Sequence, residues 1–182
     1  HDSSWRSAMT TAGLVLAAGE GKRFGGPKAP YVHDGERLVD RAVNVLAEAG
    51  CDPVFVVLGA WIGDVPGATV LENPDWSTGM GSSLQVGLKH LNSEGGIDEV
   101  VVSLVDLPGL TSEAVTRIVN TPGEIVVAAA PFLKYVASTG RVVPGFLIMV
   151  PLNSGTRFTS ETSTPSAMKS SRIAVPNSSC PK

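Results

Sequence analysis

The 182-residue sequence has two cysteines, Cys51 and Cys180, which lie far apart in the chain. Their separation fits neither a zinc knuckle nor the dense disulfide framework of a small secreted domain. No apolar run approaches the roughly 18 residues that span a bilayer, and the N-terminal residues lack the order of a signal peptide. We therefore expect a cytoplasmic protein with free thiols and no membrane partner.

Positive charge is scarce in most of the chain. Residues 1–131 hold 8 Lys and Arg against 16 Asp and Glu, whereas residues 132–182 hold 6 against 1. No basic stripe with interleaved aromatic residues is present, so we expect no nucleic-acid partner. The change in charge balance marks a boundary near residue 131.

Composition divides the chain into three segments. Residues 1–8 precede Met9 without a hydrophobic period, and we expect them to be the remnant of an expression tag. Residues 9–150 are predicted to form one domain, because the chain is long enough for one core and short for two. In residues 151–182, 12 of 32 positions are Ser or Thr, which predicts a poorly ordered tail.

Short apolar runs alternate with amphipathic segments inside this domain. Strands are predicted at residues 13–18, 53–59, 68–73, 99–108 and 123–131, and helices at residues 36–49, 82–91 and 111–120. Strands that are apolar throughout and separated by helices predict an α/β fold, a three-layer Rossmann-like arrangement with a mostly parallel sheet. Ligands of such sheets bind at the carboxyl ends of the strands.

The stretch LVLAAGEGKRFGGPK, residues 14–28, places a glycine-rich loop after the first strand. A dinucleotide fingerprint would pass directly into a helix, but here two cations interrupt the loop and a proline follows it. Hydride transfer is therefore disfavoured. Free N–H groups at Gly19 and Gly21, with cations at Lys22, Arg23 and Lys28, suit a nucleoside triphosphate. A surface turn with solvated cations is the alternative.

The segment LAAGEGKRFGGPK resembles the signature of nucleotidyltransferases similar to the molybdopterin cytidylyl- and guanylyltransferases. This resemblance implies that the loop wraps the incoming nucleotide. Arg23 and Lys28 would be catalytic residues that contact the phosphates. The nucleotide-binding residues that the loop would supply are Leu16, Ala17, Ala18, Gly19, Gly21, Arg23 and Lys28.

A second stretch, NPDWSTGMGSSLQVGL at residues 73–88, resembles a segment of the cytidylyltransferase branch. By that resemblance Gly81, Ser82 and Ser83 would hydrogen-bond the nucleotide base. A helix start offers unpaired N–H groups, and serine hydroxyls both donate and accept. The alternative is that Ser82 or Ser83 merely caps the helix.

A third stretch, LVDLP at residues 104–108, places Asp106 at the end of a predicted strand. The resemblance implies a catalytic residue that binds Mg²⁺, and one carboxylate with phosphate oxygens and waters is a usual magnesium arrangement. A plain turn aspartate is the alternative. No aspartate follows Asp106, so the family's second acidic metal ligand has no counterpart here.

The resemblance implies a Mg²⁺-dependent nucleotidyltransferase that joins a nucleoside monophosphate from CTP or GTP to a phosphate-bearing acceptor, with molybdopterin favoured, and releases pyrophosphate. The LAAG and GMGSS segments favour CTP. Alternatives are a cytidylyltransferase for a sugar or polyol phosphate, a catalytically silent nucleotide-binding protein, and the disfavoured oxidoreductase.

Other reactive or aromatic residues carry weaker signals. Trp61 and Trp76 suit a pocket for a flat pterin, although packing explains them equally well. His33 and His90 lack partners at metal-ligand spacing and are expected to be surface histidines. Cys51 has no base nearby in the sequence and is not expected to be a nucleophile.

Overall fold

The computed structural model describes residues 9–120, 126–128 and 147–152. Its elements, in chain order, are β1 (Thr11–Leu16), β2 (Val32–His33), β3 (Glu36–Arg37), α1 (Leu38–Glu48), β4 (Val54–Leu58), β5 (Thr69–Glu72), α2 (Met80–Glu94), β6 (Glu99–Leu104), α3 (Ser112–Val119), β7 (Val126–Ala128) and β8 (Leu147–Pro151). A short 3-10 turn, Trp76–Thr78, precedes α2.

Six of these strands form one sheet in the order β5-β4-β1-β6-β8-β7. The strands β5, β4, β1 and β6 run parallel, while β8 is antiparallel to both β6 and β7. The chain adds strands on one side of β1 as far as β5, and then crosses to the other side to form β6. The predicted α/β fold with a mostly parallel sheet is therefore confirmed, and its topological switch point lies between β1 and β6.

Helices cover both faces of the sheet because the central strands are apolar throughout. On one face, α1 and α3 enclose a core that includes Val15, Leu46 and Val115. On the other face, α2 packs through Leu88 and Leu91 against a second core. All residues of β1 and β4 are buried, as two-sided coverage requires.

The first helix begins two residues later than predicted. Glu36 and Arg37 pair with β2 in an antiparallel hairpin, and the turn uses positive φ angles of 51° at Asp34 and 86° at Gly35. The prediction for the end of the helix holds, because Gly50 follows the last turn with a φ of 92°. Glycine adopts this left-handed conformation without the penalty that a Cβ brings.

The other two helices differ in how they start. At α3 the Thr111 hydroxyl accepts a hydrogen bond from the Ala114 N–H at 3.3 Å, as the predicted cap requires. The N-cap of α2 is Gly79, which has no side chain to offer, and the helix begins at Met80. Serine capping of α2, the alternative considered above, does not occur.

The C-terminal part of the sheet extends beyond the predicted domain limit at residue 150. β8 includes Pro151, and Leu152 packs against the core on the α2 face. β7 occupies three residues of the strand predicted at 123–131.

Part of the chain lies outside the described residues, namely residues 1–8, 121–125, 129–146 and 153–182. The expected tag remnant, most of the tail and Cys180 belong to these ranges. Within the described ranges, no helix is long and apolar enough to cross a membrane.

Cys51 is buried at the junction between α1 and β4, with 2% of its surface exposed. Burial, and secondarily the negative charge of Glu99, raise the pKa of this thiol to about 12. Because the thiolate is the reactive form, we predict that iodoacetamide at pH 8 leaves Cys51 unmodified in the folded protein and alkylates it after denaturation. Peptide mass spectrometry reports each site separately, so modification of Cys180 does not interfere. Rapid labelling of Cys51 in the folded protein would contradict this burial.

Candidate active site

A cavity of about 390 Å³ opens where the carboxyl ends of β1 and β6 meet. Its walls are residues 16–21, residues 104–106, Lys28, and parts of the segment from Trp76 to Ser83 that leads into α2. Open α/β sheets bind their ligands at this place, since the crossing of the chain leaves a crevice at the switch point. The fold alone therefore marks this cavity as the candidate site.

Lys28 and Asp106 form an ion pair inside this cavity, with 2.6 Å between Lys28 Nζ and Asp106 Oδ2. Their side chains are 33% and 39% exposed, so both groups remain accessible to a ligand. The Val105 N–H donates to the Leu16 carbonyl at 3.2 Å, which extends the β1–β6 ladder to the residue before Asp106. The pairing of β1 with β6 therefore places the Asp106 carboxylate at the same cavity as the glycine loop.

The position of Lys28 depends on the segment that follows it. Ala29 is fully buried, and its carbonyl accepts a hydrogen bond from the Val39 N–H at the start of α1. The Lys28 ammonium also lies over the ring of Phe24, with 5.9 Å between Nζ and the ring centroid. The anchored backbone and the contact with the aromatic ring both favour the position of the ammonium group at the cavity.

The loop after β1 offers main-chain donors to the cavity. Within the described residues, the N–H groups of Gly19 and Gly21 donate to no other acceptor. Gly21 has a φ of 63°, and a Cβ at this position would overlap the carbonyl oxygen of Gly26. Glycine is therefore required at position 21 for the loop to fold back on itself beside the cavity. The N–H groups of Gly19 and Gly21 suit an anionic ligand.

The start of α2 forms the opposite wall. Gly79 has a φ of 125°, which favours glycine, and both Gly79 and Met80 border the cavity. Ser83 is 4% exposed and also borders it. The N-terminus of a helix of this length places partial positive charge at that wall.

An apolar wall completes the cavity. Trp76 packs against the core that contains Ala18, and Gly59 allows this approach. A Cβ on Gly59 would lie 2.5 Å from the Trp76 Cβ and 2.9 Å from the Ala18 Cβ. Of the two tryptophans considered for a flat ligand, Trp76 borders the cavity, whereas Trp61 packs on the α1 face beside Arg37.

The structure brings most of the predicted site residues together. Those that border the cavity are Leu16, Ala17, Ala18, Gly19, Gly21, Lys28, Ser83 and Asp106. Arg23 lies in the exposed part of the same loop, and Gly81 and Ser82 lie in the first turn of α2; these three do not line the cavity. Lys22 points to solvent and pairs with Glu20 at 2.8 Å. The catalytic and binding roles of all these residues stay predictions.

Two residues that contribute to the site were missed from the sequence. Asn73, 2% exposed, bonds the hydroxyls of both Ser82 and Ser83. Arg41 on α1 donates from Nε to the Pro108 carbonyl at 2.9 Å, two residues after Asp106. The place of Asn73 at the carboxyl end of a predicted strand, where ligands of such sheets bind, was a usable signal. No pattern in the sequence connects Arg41 to a loop so distant in the chain.

The two histidines that the structure describes do not line this cavity. His33 is exposed, and His90 Nε2 lies 3.1 Å from Glu94 Oε1 on α2. No cluster of three or more His, Cys, Asp and Glu side chains exists in the part of the chain that the structure describes. Two carboxylates border the cavity, those of Glu20 and Asp106. Glu20 is paired with Lys22, so Asp106 is the candidate ligand for a divalent cation.

Residues 13–144 match the family described as MobA-like NTP transferase domain. The chain is 40% identical over 126 residues to nicotine blue oxidoreductase from Paenarthrobacter nicotinovorans, a match that covers 64% of this chain and 60% of that protein. It is 32% identical over 141 residues to a probable molybdenum cofactor guanylyltransferase from Mycolicibacterium paratuberculosis, covering 74% and 71% of the two chains.

The fold also matches solved structures. The 4-diphosphocytidyl-2C-methyl-D-erythritol synthase of Anaerococcus prevotii superposes with a TM-score of 0.59 at 14% identity, covering 83% of this chain and 74% of that one. At this identity the likeness supports the fold and says nothing more about the ligand.

The contact between Gly59 and Trp76 gives a stability prediction. Gly59→Ala should lower the free energy of unfolding by about 1–3 kcal/mol, because the added methyl group overpacks the cavity wall. Gly109→Ala is the matched control, since nothing lies within 4 Å of a Cβ there. Urea denaturation of both variants measures the difference, and equal stabilities would contradict the close packing of Trp76.

Proposed function

Since the chain belongs to the MobA-like NTP transferase domain family, we propose that it is a nucleotidyltransferase. It transfers a nucleoside monophosphate from CTP or GTP to a phosphate-bearing acceptor and releases pyrophosphate. CTP is the preferred donor and molybdopterin the preferred acceptor in this proposal. The observation that carries it is the Lys28–Asp106 pair beside unpaired glycine amides in one cavity.

The charge distribution of the cavity supports a triphosphate donor. Lys28 supplies a full positive charge, and Gly19 and Gly21, which border the same cavity, supply N–H donors. The apolar side chains of Ala18 and Trp76, also in the lining, suit the nucleoside part. A ligand with a highly charged end and a flat apolar end matches both.

Asp106 fits the role of a metal ligand. Its carboxylate borders the cavity and is partly exposed, and Mg²⁺ is commonly bound by one or two carboxylates together with substrate phosphates and waters. When bound, such a cation would neutralise phosphate charge. Before it binds, the Lys28 ammonium balances the Asp106 carboxylate, so donor phosphates that attract Lys28 would free the carboxylate for the cation.

The proposed reaction needs no covalent intermediate with the protein. An oxygen of the acceptor phosphate attacks the α-phosphorus of the donor. The bond between that phosphorus and the oxygen that bridges to the β-phosphorus breaks, and the electron pair leaves with pyrophosphate. Lys28 offsets the charge that grows on the leaving group, and the loop amides fix the phosphates for in-line attack.

Arg23 has a secondary role in this proposal. It lies two residues after Gly21 in the same loop, but it is exposed and does not line the cavity. We assign it to the outer phosphates of the donor, where an exposed guanidinium adds positive charge and hydrogen-bond donors. Its loss should therefore matter less than the loss of Lys28.

Substitutions at the ion pair test the proposal. We expect Lys28→Met and Asp106→Asn each to reduce pyrophosphate release by about 100-fold or more, since the first removes the positive charge that offsets phosphate charge and the second removes the carboxylate proposed to hold the cation. The assay contains CTP or GTP, Mg²⁺ and molybdopterin. Both variants should stay folded, because a partly exposed ion pair contributes only about 0–1 kcal/mol to stability.

Lys89→Met is the control for these variants, because Lys89 is an exposed lysine of α2 outside the cavity. It should release pyrophosphate at the wild-type rate. Wild-type turnover by Asp106→Asn would remove the proposed metal role. Replacing molybdopterin with sugar or polyol phosphates in the same assay tests the cytidylyltransferase alternative, and nucleotide binding without release with any acceptor would indicate a silent binding protein.

Oxidoreductase activity is a second candidate, favoured by the similarity to nicotine blue oxidoreductase. That match covers 60% of the relative, so its activity does not transfer directly. Titration with NADH and NADPH, followed by cofactor fluorescence, separates the two candidates. Tight cofactor binding with no pyrophosphate release would favour the oxidoreductase, while pyrophosphate release dependent on Asp106 would exclude it as the main activity.

A further inference from the structure

The start of α1 holds the segment that follows Lys28. The first N–H groups of a helix have no acceptor within the helix and need one elsewhere. At α1 the Leu38 N–H donates to the Tyr31 carbonyl at 2.9 Å, and the Val39 N–H donates to the Ala29 carbonyl at 3.2 Å. The Tyr31 N–H in turn donates to the Lys28 carbonyl at 3.1 Å. The main chain that follows Lys28 is therefore fixed relative to this helix.

The same helix also contacts the loop that follows Asp106. Arg41, in the first turn of α1, donates from Nε to the Pro108 carbonyl at 2.9 Å. Within this loop the Leu110 N–H donates to the Leu107 carbonyl at 3.0 Å, and Leu110 is buried. The bond from Arg41 thus reaches the middle of a turn that begins directly after Asp106.

Neighbouring side chains orient Arg41 toward the loop. Its Nη1 lies 3.9 Å from Glu36 Oε2, and Glu36 Oε1 accepts from Asn44 Nδ2 at 2.8 Å. These three side chains border a second cavity, of about 240 Å³, and none of them lines the cavity that contains Lys28 and Asp106. Arg41 therefore contacts the loop but not a ligand of the candidate active site.

We propose that Arg41 is a positioning residue for the nucleotidyl transfer: through the Pro108 carbonyl it holds Asp106 where the carboxylate can meet both Lys28 and the cation. One helix then supports both members of the ion pair, the lysine through main-chain N–H groups and the aspartate through a side chain. The inference rests on the proposed function and extends it to a residue outside the cavity.

The two supports differ in what a substitution can remove. The main-chain bonds of Leu38 and Val39 do not depend on their side chains, whereas the bond to Pro108 requires Arg41 Nε. Without that bond the loop adopts further arrangements, and the apparent affinity for a cation falls with the fraction of molecules in the competent one. The segment after Lys28 stays in place, so the affinity for donor phosphates without a cation should not change.

Amide hydrogen exchange tests the support of the loop in the absence of any ligand. In Arg41→Ala we expect peptides that cover residues 105–111 to exchange about tenfold faster, because the Leu110 N–H loses protection when the turn opens. Peptides that cover β6 should exchange as in the wild type, since β1 and β8 hold that strand on both sides.

Arg37→Ala is the matched control. Arg37 directly precedes α1 and also donates to a distant main-chain carbonyl, that of Asp64 at 3.1 Å, but neither residue borders the cavity. Because Arg37 also bonds Asp40 through two nitrogens, its removal costs at least as many contacts as the removal of Arg41. Arg37→Ala should leave the exchange of residues 105–111 at the wild-type rate.

The cation requirement tests the consequence for the reaction. Pyrophosphate release with CTP or GTP and molybdopterin is measured over a range of Mg²⁺ concentrations. We expect Arg41→Ala to raise the concentration for half-maximal release about tenfold, and Arg37→Ala to leave it unchanged. Calorimetry in EDTA should give the same nucleotide affinity for all three proteins. The half-maximal concentration is independent of the folded fraction, so a merely structural Arg41 would lower the rate and leave this concentration unchanged.

Three outcomes would overturn the inference while the proposed function stands. These are wild-type exchange of residues 105–111 in Arg41→Ala, a wild-type Mg²⁺ requirement in Arg41→Ala, and an equal rise of that requirement in Arg37→Ala. A wild-type protein that releases no pyrophosphate would overturn the proposed function, and this inference with it.

Discussion

The parallel pairing of β1 with β6 is the constraint on which the site depends. Leu16 and Leu104 are partners in the register, so the chain leaves both strands at the same height and on the same edge. The glycine loop and Asp106, separated by more than half of the described chain, therefore emerge side by side. A slip of one residue would turn the alternating side chains of one strand to the opposite face, so two buried cores hold this register.

The charged side chains of the cavity contribute little to the free energy of unfolding, and their main effect is to hold one another in position at the cavity. Lys28 and Asp106 meet at 2.6 Å while still partly exposed, a setting in which an ion pair contributes little to folding. Glu20 also borders the cavity, and its pairing with Lys22 at 2.8 Å partly neutralises a carboxylate that would repel phosphates. The resting site thus balances its charges locally, and a triphosphate would exchange these contacts for its own.

Sequence patterns predicted the elements that local physics determines and failed where distant contacts decide. The apolar strands and the Thr111 cap follow from residue type and spacing. The start of α1 does not, because the Glu36–Arg37 pair fits a helix pattern equally well and tertiary pairing with β2 makes it a strand. Likewise Ser82 and Ser83 are chemically identical neighbours. Asn73 bonds both, and the hydrogen bonds of Ser82 to the Asp75 and Gly79 carbonyls distinguish it from Ser83. No periodicity in the sequence reveals those contacts.

Because Trp76 borders the cavity, its intrinsic fluorescence can report the binding of a ligand there. Indole emission responds to the polarity and quenching groups around the ring, and a nucleobase stacked beside Trp76 would change both. Trp61 packs beside Arg37 on the other face of the sheet and would contribute a constant background. Occupancy of the cavity by unlabelled nucleotides should therefore be visible in the intrinsic fluorescence of the unmodified chain.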